Sequence, residues 1–498
     1  MKRLVAIAIS AVFILTGCAS EPELDEVSSA IQDSQEMRAE ESQGDLEDQQ
    51  EDEVRGSESA ESQAEDSESG MSQGVDTEEQ ESNSQNFAIQ LSDLRDDAST
   101  CKYKEASSSR QRYSNSYAAS FPKMQSPAIS QIGHVDVALV FLDWGDLPGT
   151  SADVSYYLEQ VNMFVDFYEM VSEGRLTFTL QTDKTWYRVG ESYEPYITSN
   201  DESGGNWQST ATLQPKLDDF ITATDEAIDY SGIEMLIFAI PTAKEVWWGG
   251  LHDFGGEGAT KAMTNEGEVK HWVSVGSWFI ENPGQPSWVF YAHEFGHAVG
   301  LVDYRDMTDS SVTKEGLTKI IGEKWVVNPM GGLEIMDNQG GPTRTISFWP
   351  RWVQGWAVDE QAICISANDV QDESFKLSQL NRVGAADKAL IIKIDNTTAL
   401  VVESRRWDRK FDVPIRHSRD GLIVYRVDST LGHEEGPLRL LSPRDITQYL
   451  KEEKTYPDWR CLDVFLYEGD TVTAYGVTIE SVGVMDGSDV VRVTRSNP

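Results

Sequence analysis

The stretch that decides the fold is SWVFYAHEFGHAVGLVD, residues 287–303. It contains His293, Glu294 and His297 in the spacing H-E-x-x-H. Residues four apart lie on the same face of an α-helix, so the two imidazoles can reach one metal ion. Glu294 lies beside them and can handle the proton of a metal-bound water. The flanking residues are apolar, and a buried helix that carries three polar groups needs a reason such as a metal.

Gly300 and Asp303, which follow the motif, complete the predicted metal site. Gly300 can take a left-handed conformation, end the helix and turn the chain back. That turn would bring the carboxylate of Asp303 round as a third ligand. Two His, one carboxylate and one open position form the ligand set of a catalytic zinc site, so we predict Zn²⁺ held by His293, His297 and Asp303. The alternative is an amphipathic helix whose histidines are only packed or solvated.

The N-terminus reads MKRLVAIAISAVFILTGC, residues 1–18. Lys2 and Arg3 precede an apolar core that is too short to span a membrane, which is typical of a signal peptide. The end of this stretch resembles a bacterial lipobox, which implies cleavage before Cys18 and lipidation of that cysteine. We therefore expect an exported chain, anchored by lipid to the bacterial cell envelope and facing the extracytoplasmic side. An ordinary signal peptide with an incidental cysteine is the alternative.

Residues 19–95 are predicted to be a disordered acidic linker. Residues 21–90 hold 23 Asp or Glu but only two basic residues, and such a composition cannot bury enough apolar surface to fold. A stalk is the simplest interpretation, and an acidic binding tail is the alternative. The formal net charge of −43 argues against a nucleic-acid partner. Residues 96–130 read as a transitional segment, and order is expected from about Ile132.

Residues 131–358 show the pattern of an α/β domain with a mixed sheet and helices against it. The predicted elements are, in order, a strand at 134–143, a helix at 153–172, a strand at 176–180, a helix at 212–229, a strand at 233–240, a short strand at 272–275 and the metal helix. Val273 and its neighbours are candidates for an edge strand on which an extended peptide could pair.

Downstream of the metal helix, Met336 lies in a tight turn and can supply a soft apolar floor under the site, with Met330 as the rival candidate. Residues 347–356 are rich in aromatics and are expected to close the domain. Residues 359–498 alternate apolar and polar residues between turn signals, which predicts an all-β, sandwich-like domain. Of the remaining cysteines, Cys364 and Cys461 are the favoured disulfide pair, and three unpaired thiols are the alternative.

The run HEFGHAVGLVDYRD, residues 293–306, resembles the immune inhibitor A family of secreted bacterial zinc metallopeptidases. The similarity extends from the strand at 136–143 through Glu334-Ile-Met336 to the segments 400–405 and 420–428, so it covers roughly residues 130–440. The resemblance implies a metzincin-like fold, zinc ligation by His293, His297 and Asp303, Glu294 as general base, and a Met-turn at Met336.

These features predict a zinc-dependent endopeptidase that acts on protein or peptide substrates as a monomer. Zinc lowers the pKa of its bound water, and Glu294 takes the proton as the water attacks the peptide bond. Tyr304 and His271 are candidates for a donor to the oxyanion. The alternative is a surface-anchored binding or adhesion protein with a structural or inactive site, and a zinc hydrolase of non-peptide amides is a third option. A weaker expectation is Ca²⁺ at Asp303, Asp306 and Asp309.

Overall fold

The computed structural model describes residues 89–103, 119–120, 123–124, 128–196, 210–242, 251–253, 260–275, 286–306, 328–341, 343–413, 420–444 and 463–496. The predicted signal peptide, the lipidation site Cys18 and the acidic linker up to residue 88 lie outside these ranges. Cys461 and Asp309 lie outside them as well. Within the described ranges, no helix is both long and apolar enough to cross a membrane.

The part of the chain before residue 307 contains a mixed sheet with helices on its faces. Its elements are β1 (Ala119–Ser120), β2 (Lys123–Met124), β3 (Gly133–Trp144), α1 (Ser151–Val171), β4 (Leu176–Gln181), β5 (Trp186–Gly190), α2 (Thr210–Thr224), β6 (Met235–Ala239), β7 (Leu251–Asp253), β8 (Ala262–Thr264), β9 (Gly267–Val269), β10 (His271–Ser274) and α3 (Ser287–Ala298). The strand order is β4-β3-β6-β10-β7, and β5 also pairs with β3. Among the described strands of this sheet, β7 alone is antiparallel to its neighbour, whereas β1 with β2 and β8 with β9 form separate antiparallel pairs. The predicted α/β layout with a mixed sheet is therefore present.

Strand β3 shows why its sequence is an uninterrupted apolar run. Val137, Leu139 and Phe141 face the core that contains α1 and α3. The intervening residues Ala138 and Val140 face the opposite core, which contains α2. A strand that is buried on both faces has no polar alternation, and this is the pattern that predicted it.

The position of β10 differs from the prediction for Val273. We expected an edge strand here, but β10 is flanked by β6 on one side and by β7 on the other. Among the described strands the edge is β7, in which His252 lies opposite Val273. The prediction was wrong because a strand of three residues is too short to show a period in its sequence.

The metal helix α3 packs against α1. The rings of Phe164 and Phe295 lie 5.4 Å apart, and the hydroxyl of Tyr168 donates to the carbonyl oxygen of Ala292 at 2.6 Å. After Ala298 the chain turns at Gly300, whose φ of 99° is in the left-handed region, as predicted. This turn directs the following segment back beside the helix.

Within the described residues after 306, the chain contains one α-helix and two further sheets. Its elements are α4 (Phe348–Gln354), β11 (Ala362–Ser366), β12 (Asp372–Leu377), β13 (Ala389–Lys393), β14 (Thr398–Arg405), β15 (Gly421–Asp428), β16 (Leu438–Leu441), β17 (Thr471–Ala474), β18 (Val477–Met485) and β19 (Ser488–Arg495). The five-stranded sheet has the order β11-β13-β14-β15-β16, and the four-stranded sheet has the order β12-β19-β18-β17. The two sheets enclose a common apolar core, as in a sandwich.

The five-stranded sheet is shared between two cores. On β14, Leu400 and Val402 face the four-stranded sheet, whereas Ala399 and Val401 face the core around α3. That core crosses the predicted domain border between residues 358 and 359 without a break. Residues 88–498 accordingly form one compact unit.

The segment 89–103 packs on the β region, so ordered structure begins well before the predicted start near Ile132. The backbone N–H of Ser92 donates to Ser374 O at 2.7 Å, and that of Asp96 donates to Cys364 O at 2.7 Å. Cys101 then forms a disulfide with Cys364, with the two Cα atoms 5.9 Å apart. The favoured pairing of Cys364 with Cys461 was wrong, because sequence proximity does not show which segment runs beside β11.

Candidate metal centre

His293 and His297 lie one turn apart on α3, with ring centroids 4.9 Å apart. The Nδ1 atom of His293 is 2.9 Å from the carbonyl oxygen of Ile335, and that of His297 is 2.9 Å from the carbonyl oxygen of Leu301. A carbonyl oxygen can only accept, so each Nδ1 carries the ring proton. In the neutral form of either ring the lone pair would therefore be on Nε2, and backbone contacts of this kind fix metal-binding histidines.

Asp303 offers the third candidate ligand atom. Its Oδ1 lies 3.1 Å from His293 Nε2 and 3.5 Å from His297 Nε2. Ligands in a tetrahedral zinc site with bonds of 2.0–2.1 Å are separated by about 3.3 Å. The other oxygen, Oδ2, accepts a hydrogen bond of 2.8 Å from Arg305 Nη2. The separations of Asp303 Oδ1 from the two histidine nitrogens are thus close to this value, and of the two carboxylate oxygens only Oδ1 faces His293 and His297.

The charges of the site favour an ionised carboxylate. Burial opposes the charged form of Asp303, but the positive charge of Arg305 and the contact with His297 outweigh it and hold the pKa of Asp303 well below its usual value. For His293, burial lowers the pKa, and the neighbouring Asp303 more than compensates and raises it. A permanently charged carboxylate beside two imidazoles is a suitable donor set for a divalent cation.

Glu294 is buried, with an exposed fraction of 4%. A carboxylate oxygen of Glu294 and one ring nitrogen from each of His293 and His297 all lie within 4.8 Å of one another. A carboxylate at this distance can exchange a proton with a molecule in the remaining coordination position. The structure therefore brings together all four residues that the motif predicted for the centre.

Met336 lies against the metal helix. A Cβ atom added at Gly296 would lie 2.6 Å from Met336 Sδ, so only glycine lets the thioether approach the helix between the two histidines. The carbonyl oxygen of Met336 accepts from the backbone N–H of Tyr304 at 2.9 Å. Met330 is also fully buried. Of the two methionines, however, it is Met336 that contacts Gly296 on the metal helix. This is the position expected for a methionine that lies beneath the site.

Two buried charged residues, Glu334 in the turn itself and Arg405 on β14, hold the turn that contains Met336. The carboxylate of Glu334 accepts from the backbone N–H groups of Met336 and Ser347. Arg405 on β14 donates to the carbonyl oxygen of Leu333 at 3.0 Å and to Ser347 Oγ at 3.1 Å. Burial raises the pKa of Glu334 to about 7. The five-stranded sheet thus fixes the segment whose Ile335 carbonyl orients His293.

A turn between β15 and β16, residues 429–436, also reaches the centre, and the sequence analysis missed it. The backbone N–H of Asp303 donates to His433 Nδ1 at 3.2 Å, and that of Glu434 donates to Asp303 O at 2.9 Å. Arg305 bridges Asp303 Oδ2 and Glu434 Oε1, at 2.8 Å each. Burial lowers the pKa of His433 to about 4, so the ring is neutral. The only hint in the sequence is a histidine before two glutamates between glycines, which has no recognised spacing.

The remaining candidates are less well placed. Tyr304 is fully buried, and its hydroxyl has no hydrogen-bond partner within the described ranges, so it lies inside the core rather than at an open surface. His271 is buried at the first position of β10. Asp306 forms an ion pair of 2.8 Å with Arg439. Because a guanidinium already neutralises Asp306, the residue is a poor calcium ligand.

The sequence matches no protein-family model, and no curated protein is significantly similar to it. The assignment of a function therefore depends on the geometry of the site.

Proposed function

We propose that the chain is a zinc-dependent endopeptidase with a metzincin-like catalytic region. The observation that carries the proposal is the convergence of His293 Nε2, His297 Nε2 and Asp303 Oδ1 beside the buried carboxylate of Glu294. Zinc bound there would supply a Lewis acid that acidifies water and polarises the scissile carbonyl group. Glu294 would accept the proton of the attacking water and later pass it to the leaving amine.

The strand arrangement supports a peptide as the substrate. Among the strands that the structure describes, β7 (Leu251–Asp253) is at the edge of the first sheet and pairs with β10. An extended peptide can add to such an edge through main-chain hydrogen bonds, which no smaller amide can do. The proposal places the substrate along β7, and the lipidated Cys18 would hold the enzyme at the cell envelope.

The direct test is Glu294→Gln in the whole chain, with cleavage of a peptide library followed by mass spectrometry and zinc measured on the same sample. The amide cannot act as a general base, so we expect cleavage to fall by at least about a hundredfold while zinc remains bound. Chelation should abolish cleavage by the wild type, and added zinc should restore it. A Glu294→Gln variant as active as the wild type would contradict the proposed role.

A closed site in a binding or adhesion protein is the second candidate, because the structure brings a third histidine near the ligands. The ring of His433 lies 6.1 Å from that of His297. A fourth protein ligand would close the site, as in structural zinc centres. X-ray absorption of the zinc-loaded chain distinguishes the two. Two imidazoles with oxygen ligands support the enzyme, whereas three imidazoles and no cleavage of any peptide support the binding protein.

A further inference from the structure

The turn at residues 429–436, named here the His433 turn, runs antiparallel beside the segment that carries the third ligand. Glu434 N–H donates to Asp303 O at 2.9 Å, and Gly436 N–H donates to Arg305 O at 3.2 Å. An isolated antiparallel bridge joins Asp306 to Glu435. Residues 303–306 have left α3 and have no helical ladder of their own. Their backbone position is therefore set from outside the helix, by the His433 turn and by the carbonyl oxygen of Met336, which accepts from the backbone N–H of Tyr304.

Side chains add a second level of restraint on Asp303. His433 Nδ1 accepts from the backbone N–H of Asp303. The guanidinium of Arg305 binds Asp303 Oδ2 and Glu434 Oε1 together, so the carboxylate can present only Oδ1 to the histidines. Glu434 has a φ of 56°. A non-glycine residue in this left-handed region is strained, and such strain persists where surrounding contacts require that conformation.

We propose that the His433 turn is a part of the metal centre, in which His433 and the Arg305–Glu434 pair are positioning residues that orient Asp303 toward the metal. The inference rests on the proposed function only in taking His293, His297 and Asp303 as the ligands. Groups that orient a ligand contribute to affinity, and their loss typically weakens metal binding by about 10–100-fold.

The hydrogen-bonding pattern distinguishes this role from direct ligation. A backbone N–H can only donate, so His433 Nδ1 is the unprotonated nitrogen and Nε2 carries the proton of the neutral ring. His433 Nε2 lies 3.9 Å from both Asp303 Oδ2 and Glu434 Oε2, so that proton faces two carboxylates. A ring in this tautomer has no lone pair on Nε2 to offer a metal ion.

The test compares His433→Ala, His433→Asn and His433→Gln in the whole chain. Asparagine can place its amide oxygen near the position of Nδ1, whereas glutamine reaches the position of Nε2. Zinc affinity is measured by competition with a chromophoric chelator, and the ligand field is measured from the visible spectrum of the Co²⁺ form. His134→Ala is the matched control, because His134 is half-exposed on β3 and contacts Thr177 and Thr179.

We expect His433→Ala to bind zinc about 10–100-fold more weakly, His433→Asn to recover most of the loss, and the control to bind as the wild type does. Wild-type affinity in His433→Ala would overturn the proposal. Recovery by His433→Gln but not by His433→Asn would also overturn it, because the important atom would then be Nε2. If His433→Ala does not fold, as judged by near-UV circular dichroism, Glu434→Gln tests the Arg305 link instead and should again weaken binding.

These measurements do not depend on peptidase activity. Suppose that the wild-type chain cleaves no peptide, that His433→Ala binds zinc more weakly and that His433→Asn restores the affinity. This result would contradict the endopeptidase proposal and support the positioning role of His433. If the wild-type chain cleaves peptides and all three His433 variants bind zinc with wild-type affinity, the endopeptidase proposal is supported and the positioning role is contradicted.

Discussion

The metal helix α3 and the His433 turn contact the same aspartate, but they differ in how the sequence encodes them. On α3 the proposed ligands His293 and His297 are four residues apart, so helical geometry alone places them together. The turn reaches Asp303 from 130 residues away in the chain. Its place depends on how the five-stranded sheet packs against the α/β core. Local spacing therefore encodes the proposed ligands on the helix, whereas tertiary packing encodes the groups that we propose orient Asp303.

The largest effect is expected on the helix side of this comparison. In His297→Ala, one of the three proposed ligands is lost. Because a four-ligand structural zinc site contributes about 10–16 kcal/mol, or roughly 3–4 kcal/mol per ligand, we expect zinc affinity to fall by about a hundredfold to a thousandfold. Isothermal competition with a chelator measures this loss. A loss no greater than that of His433→Ala would show that the helix and the turn contribute equally, and the distinction between them would fail.

A second variant probes the turn that contains Met336, whose backbone carbonyl groups contact His293 on α3 and Tyr304 beside Asp303. Burial raises the pKa of Glu334 to about 7, so the folded state binds its proton more tightly than the unfolded state does. This contribution to stability is fully present below about pH 4.5 and is lost as the pH rises toward 7, by up to about 3 kcal/mol. In Glu334→Gln, the free energy of unfolding should decline less over this range. Urea titrations at several pH values measure it, and an unchanged slope would contradict the assignment.

On the side of the His433 turn, Arg305→Gln removes the charge that links Asp303 to Glu434. We expect zinc affinity to fall by about 10–100-fold, because Asp303 loses its orientation and its neutralising partner. Arg188→Gln is the control, since Arg188 pairs with Asp143 in the first sheet. An effect of the same size in the control would indicate a general loss of stability rather than a loss of ligand orientation.

The smallest expected effect concerns the contact beneath the helix. In Gly296→Ala the new Cβ would meet Met336 Sδ at 2.6 Å, so the side chain must shift. We expect a loss of about 1–3 kcal/mol in the free energy of unfolding. The double variant with Met336→Ala removes the opposing sulfur and should be less destabilised than the sum of the two single variants. Strict additivity would show that the two residues do not touch.

The sequence was sufficient where a pattern is local. The spacing of His293 and His297 predicts a helix, Gly300 predicts a turn after it, and the apolar run of β3 predicts a buried strand. The structure contains all three. The sequence was insufficient where the position of a residue depends on a partner that is far away in the chain. Strand β7 is too short to show a period, and Cys101 lies beside Cys364 only because the segment 89–103 runs along β11. His433 follows the same rule, since its backbone partner becomes visible only once the sheets are packed.

The disulfide between Cys101 and Cys364 has a mechanical consequence. It closes a covalent loop of the chain between the two cysteines, which are 263 residues apart in sequence, and α3 with its ligands lies inside that loop. A pulling force that enters before residue 101 and leaves after residue 364 passes through the sulfur atoms instead of through the loop. The metal helix is therefore shielded from tension along the backbone. The His433 turn lies outside the loop, so an extended chain under load would transmit force to the orienting groups before it reached the ligands on the helix.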